Sequence, residues 1–293
     1  MKKSRLSTPV LVSVVIAMVA AYSCTMSNNS PTTTTMQYAV NVSTDATHGK
    51  YLVDKSGLTL YFFSNDNNGR NSCSGGCQAI WPYFYAGPLT SASIDPSLNV
   101  ADFDTIVVNG TPQTRYKGWP LYYYAPDGAH LEPAGQITGE AIADWFVAKP
   151  DYTIMLSNGQ LVGGDGKSYL GTYTLGTGRT VYFTDAKGVT LYAYAPDSFN
   201  INKFTKSDFS NNGSWPIYDT TSIVVPSVLD KTLFTSINVY GKMQLTYKGW
   251  PLYYFGSDAK VRGNTKGFTI PSTKPVGSVW PVVVQGLPNA PHK

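Results

Sequence analysis

The chain places a tyrosine, a second aromatic two residues on and an aspartate five residues on, and it does so four times: Tyr61-x-Phe63-x-x-Asp66, Tyr122-x-Tyr124-x-x-Asp127, Tyr192-x-Tyr194-x-x-Asp197 and Tyr253-x-Phe255-x-x-Asp258. A leucine precedes each tyrosine (Leu60, Leu121, Leu191, Leu252). Residues two apart on a strand share a face, so each aromatic pair points one way and its leucine the other. The units also group in pairs. Tyr116 to Tyr123 repeats without a change at Tyr247 to Tyr254, an offset of 131 residues, and Asp54-Lys55-Ser56-Gly57 meets Asp185-Ala186-Lys187-Gly188 at that offset. Eight identical residues in register identify a tandem duplication with two tyrosine units per copy.

Twenty-seven glycines and 19 prolines punctuate the 293 residues, and helical periodicity is confined to Gly139 to Asp144. Short strands joined by tight turns follow: an all-β chain. Asp54 to Gly57 suits a type I turn closed by a left-handed glycine, and Lys117-Gly118 suits a two-residue hairpin. Trp-led strands are expected at Trp81 to Phe84, Trp145 to Ala148, Trp215 to Tyr218 and Trp280 to Val283. The expected architecture is two small antiparallel β-sandwich or barrel domains, residues 37–150 and 169–293, with a boundary loop at 151–168. Four related units also permit a four-bladed propeller.

The N-terminus carries a different signal. Lys2, Lys3 and Arg5 precede an apolar run, Val10 to Ala21, and Ala21-Tyr22-Ser23 leads to Cys24. This pattern resembles a bacterial lipobox: a signal peptide over 1–23, Cys24 as the acylated residue, and a polar tether over 24–36. Without Lys2, Lys3 and Arg5 the 22 basic residues fall to 19 against 18 acidic ones. So small an excess supplies no electrostatic footprint for nucleic acid.

The lipobox, the tether and the paired tyrosine units together resemble the bacterial secreted-repeat lipoproteins with a Y-x4-D motif. Cys73-Ser74-Gly75-Gly76-Cys77-Gln78-Ala79-Ile80-Trp81-Pro82 is similar to that family's C-x-G-x-C-A-x-x-W-P. The likeness spans Lys50 to Val284. It implies export to the envelope and a β-rich repeat, but no reaction, because the family has no settled activity. Cys73 and Cys77 enclose three residues here, and copy two has Asn211-Asn212-Gly213-Ser214-Trp215 in place of the cysteines.

With Cys24 assigned to lipid, Cys73 and Cys77 remain as a disulfide pair, or as soft ligands of a redox or copper site. Asp66, Asp127, Asp197 and Asp258 read as turn residues bonding nearby amides. The calcium reading of Asp66-Asn67-Asn68-Gly69 lacks alternating ligands and a final glutamate. The aromatic face is either core or an exposed platform, with Trp119 and Trp250 as candidate glycan contacts. Val162 to Ser168 fails the phosphate-loop spacing, and no nucleophile-and-base constellation occurs. No cofactor or metal site is assigned. The expectation is a non-enzymatic, lipid-anchored protein at the outer membrane or cell surface, with an envelope protein or a glycan as partner. The alternative is a surface redox or metal-handling accessory using Cys73 and Cys77.

Overall fold

The computed structural model describes residues 37–292. The signal peptide, Cys24 and the tether lie outside the described residues. The chain opens with a hairpin, β1 (Val40–Asp45) and β2 (Gly49–Asp54), with Val40 opposite Asp54. The turn after β2 forms as its residues dictate: Gly57 takes φ +77°, and the Asp54 carboxylate accepts the amides of Ser56 and Leu58. Asp185 does the same with Lys187 and Val189, 131 residues on. Next come β3 (Tyr61–Phe63) and the one α-helix of the described residues, α1 (Gly76–Ile80). A three-stranded sheet follows: β4 (Phe103–Val108), β5 (Thr111–Tyr116) and β6 (Trp119–Pro120). Both of its turns, Asn109-Gly110 and Lys117-Gly118, have positive φ at both residues, the conformation that two-residue hairpins prefer. Pro120 lacks a ladder donor and accordingly sits on an edge strand.

β7 (Trp145–Val147) returns to pair with β3, Phe62 opposite Phe146. β8 (Met155–Val162) then lies between β9 (Ser168–Tyr169) and β10 (Arg179–Thr184). The last sheet, β11 (Phe234–Val239), β12 (Lys242–Tyr247) and β13 (Trp250–Pro251), has the strand order of β4, β5 and β6. Its turns, Tyr240-Gly241 and Lys248-Gly249, repeat the positive φ pairs. The protein is thus all-β, built from small antiparallel sheets. None of them reaches the four strands of a propeller blade among the described residues.

Three local expectations fail. The boundary loop expected over 151–168 instead contains β8, the central strand of its sheet. Trp81, Trp215 and Trp280 begin no strand; Tyr83, Ile217 and Val282 each make only an isolated bridge to a motif tyrosine. A proline follows each of these tryptophans (Pro82, Pro216, Pro281) and removes the donor a longer ladder needs. Trp145, followed by Phe146, does lie in a strand. Gly139 to Asp144 forms turns, with Ala141 and Ala143 at positive φ, and the α-helix instead starts at the end of the cysteine loop and runs past Cys77.

The alternation of leucine and tyrosine sorts the core. Leu60 and Leu121 pack with Val40, Leu52 and Phe84, while Tyr61 and Tyr122 pack with Trp81, Trp145 and Cys73. Likewise Leu191 and Leu252 join Phe183 and Phe234, while Tyr192 and Tyr253 join Trp215 and Trp280.

Candidate functional site

The motif tyrosines meet in pairs through their backbones. The Tyr61 amide donates to the Tyr122 carbonyl at 2.9 Å and the Tyr122 amide returns the bond at 3.1 Å. Tyr192 and Tyr253 exchange the same bonds at 2.8 and 2.9 Å. Each pair sets two units antiparallel about a local twofold, and that geometry decides which carboxylate each phenol meets. Tyr122 donates to Asp66 at 2.6 Å, Tyr253 to Asp197 at 2.8 Å and Tyr192 to Asp258 at 2.6 Å. Every one of these carboxylates comes from the other unit of the pair. The motif is a crossed clasp: in these three bonds the phenol of one unit meets the carboxylate of the other and not its own.

The fourth clasp uses a different acid. Tyr61 donates to Glu132, and Asp127 faces solvent, where it caps the Ala129 and His130 amides and the His130 ring. Glu132 then takes the contacts that an aspartate makes elsewhere. Its second oxygen accepts the Thr138 amide and hydroxyl. Asp66 accepts the amide and hydroxyl of Ser72, Asp197 the amide of Lys203, and Asp258 the amide of Lys266. The turn reading of the four aspartates is therefore corrected for three of them. Asp127 is the turn residue; Asp66, Asp197 and Asp258 are buried at 0–1% exposure and bind phenols. The extra residues between Asp127 and Glu132 let a longer acid reach inward. Nothing in the repeated motif marked that replacement, although Glu132 is one of only two glutamates in the chain.

Burial sets the electrostatics. Desolvation raises Asp66 from 3.8 to about 6 against the lowering effect of its Ser72 and Tyr122 bonds. It raises Asp197 to about 7 against the Lys203 amide and Tyr253, and it also raises Asp258 and Glu132. The four phenols, wholly buried beside acids, are pushed well above the usual tyrosine value. Perturbed carboxylates in an open cleft mark a reactive site. These have no exposure to a substrate, and their donors are already supplied.

The rings complete each clasp. Trp81 and Trp145 stack at 3.9 Å with planes 4° apart, and Trp215 and Trp280 at 3.6 Å and 6°. The second aromatic of each unit covers the outer faces: Phe63 on Trp145 at 4.1 Å, Tyr124 on Trp81 at 4.5 Å, Phe255 on Trp215 at 4.5 Å and Tyr194 on Trp280 at 4.3 Å. Each copy thus holds a stack of four rings, met edge-on by its clasp tyrosines. Gly139 and Gly267 lie where a Cβ would come within 3 Å of these rings, and their amides donate to the Tyr61 and Tyr192 hydroxyls. Glycine is required there by close approach.

Cys73 and Cys77 form a disulfide beside this stack, with Cys73 fully buried and its carbonyl accepting the Tyr83 hydroxyl. Trp119 offers no face to a glycan, which corrects that expectation: it is fully buried, its indole donates to Ala186 and the Arg262 guanidinium lies 4.4 Å over its ring. Its counterpart Trp250 is half-buried and donates to Pro288. Arg262 also bonds the Asn67 and Lys117 carbonyls, so one copy's side chain is bolted across the other.

Comparison with known proteins adds a family. Residues 42–84, 106–149 and 235–284 match the model of a secreted repeat of unknown function. Each matched segment supplies strands or rings of a clasp. No curated protein and no solved structure matches the chain. Among the described residues no helix is long and apolar enough to cross a membrane.

Proposed function

We propose, from the premise that this chain belongs to the family of secreted repeats of unknown function, that it is a lipid-anchored envelope protein with a non-catalytic binding or scaffolding role. One observation carries the reading: the leading tyrosines of the repeat and the acids they bond are spent inside the fold. The four clasp tyrosines are 0% exposed and each hydroxyl already holds a carboxylate. Repeats of this kind multiply a rigid surface rather than a reactive centre, and tandem surfaces favour avidity. The anchor is Cys24, reached through the apolar run and followed by a polar tether. An outer-membrane or cell-surface position, facing an envelope protein or glycan, completes the proposal.

The anchor is tested by metabolic labelling with an alkyne fatty acid followed by fractionation. The wild-type chain should carry label and sediment with membranes. The Cys24→Ser chain should lose the label and appear in the soluble fraction, because one acylated residue supplies the whole attachment. An unlabelled wild type, or a C24S chain that still sediments, would remove the anchor.

A further inference from the structure

A cleft of about 420 Å³ opens beside the first hairpin, between the 46–50 turn, the 149–151 segment and the 223–231 loop. It is distant in role from the aromatic clasps: none of its lining residues belongs to one. Lys50, Lys149 and Lys231 line it together with His48, against one acid, Asp151. The other acids near it are engaged. Asp45 holds the His48 ring at 2.7 Å, and Glu140 accepts the Val147 amide and the Ser227 hydroxyl.

Lys149 is the decisive residue. The residue is only 9% exposed, yet its ammonium has no hydrogen-bond acceptor and no ion pair among the described residues. The Tyr152 ring lies 5.5 Å from the nitrogen to the centroid, and the Glu140 and Asp151 carboxylates attract the ammonium without forming an ion pair with it. Burial of its stem pushes Lys149 below the usual lysine range against the pull of Glu140 and Asp151, and its ammonium is left to solvent at the cleft. An anion in the cleft would supply the missing partner. Val225, Pro226 and Leu229 give the same cleft an apolar part. The walls are preformed: Thr153 and Ile154 donate to the Val224 carbonyl, and Val224 donates back to the Thr153 hydroxyl.

We propose that this cleft binds a small organic acid, with its carboxylate on Lys149 and its apolar body against Val225, Pro226 and Leu229. The volume suits such a ligand, since small-molecule sites run from roughly 300 to 1,000 Å³. Lys231 and Lys50 guide the anion in and hold its outer oxygen. The site is independent of the lipid anchor, so failure of one leaves the other standing.

Isothermal titration of the folded chain with hexanoate, hexanamide and inorganic phosphate tests it. Hexanoate should bind once per chain, and hexanamide, of equal length without charge, at least tenfold more weakly. Phosphate should also bind more weakly than hexanoate, for want of the apolar wall. Lys149→Met should weaken hexanoate tenfold or more, and Lys231→Gln, at an exposed position, about three- to tenfold with unchanged thermal unfolding. Absence of hexanoate binding, equal binding of hexanamide, phosphate binding tighter than hexanoate, or unaltered affinity in both K149M and K231Q would overturn the proposal. Should K149M fail to fold, K231Q alone decides.

Discussion

Replacing Trp215 by alanine is expected to lower the free energy of unfolding by about 3–5 kcal/mol, the range for a buried tryptophan removed from a core. Trp215 is 4% exposed and lies third in a four-ring stack, 3.6 Å from Trp280 and 4.5 Å from Phe255. Its removal takes a packing partner from three rings: Trp280, Phe255 and the edge of Tyr192. The surrounding backbone cannot close the gap readily, because Tyr192 and Tyr253 are locked to each other by paired amide bonds. Trp81→Ala should cost a similar amount in copy one, where Cys73–Cys77 lies beside the stack. For a domain of ordinary stability this is a large share of the total. Urea unfolding with an unchanged dependence on denaturant is the measurement. A loss below about 1 kcal/mol would mean that the stack is incidental to the fold.

Stability is also expected to fall as pH rises from about 4 to about 8, the reverse of the usual behaviour of paired aspartates. Asp66 stands at about 6 and Asp197 at about 7 in the folded chain, both raised from 3.8 by burial. Between those values the folded state holds protons that the unfolded state has released. Stability from these groups is therefore fully present below pH 3.8 and lost as pH climbs through 6 and 7. Each shift corresponds to an effect on the order of 3 kcal/mol. Asp258 and Glu132, also raised, act in the same direction. Aspartates with lowered values, such as Asp95 and Asp230, work the opposite way, but only below the unfolded value near 3.8. Thermal unfolding at pH 5 and pH 8 should show the higher midpoint at pH 5. Asp66→Asn and Asp197→Asn should flatten that difference. A midpoint that rises between pH 5 and pH 8 would contradict the assignment.

These two expectations mark where sequence and structure part. The leucine–tyrosine alternation was legible because strand periodicity acts between adjacent residues, and Leu60 and Tyr61 duly enter different parts of the core. The Lys117-Gly118 hairpin was legible because two-residue turns have few solutions. The role of the aspartates was not. Tyr122 and Asp66 are 56 residues apart, as are Tyr253 and Asp197, and Tyr192 and Asp258 are separated by 66. The spacing within one motif copy suggests a local turn, whereas the bond runs to the neighbouring copy. The four tryptophans were expected as strand leaders, which only Trp145 is, and their stacking in pairs depends on the twofold made by the tyrosine bridges. The Lys149 cleft was invisible for the same reason, since its walls come from three segments, 46–50, 149–151 and 223–231, far apart in the chain.

A double-mutant cycle on Tyr122 tests the crossed clasp most directly. Tyr122→Phe is combined in turn with Asp66→Asn, its bonded partner, and with Asp127→Asn, the aspartate of its own motif, and unfolding free energies are measured at pH 8. The clasp predicts a coupling of about 1 kcal/mol or more between Tyr122 and Asp66, and additivity within about 0.5 kcal/mol for Tyr122 and Asp127. Coupling to Asp127, or additivity with Asp66, would contradict it.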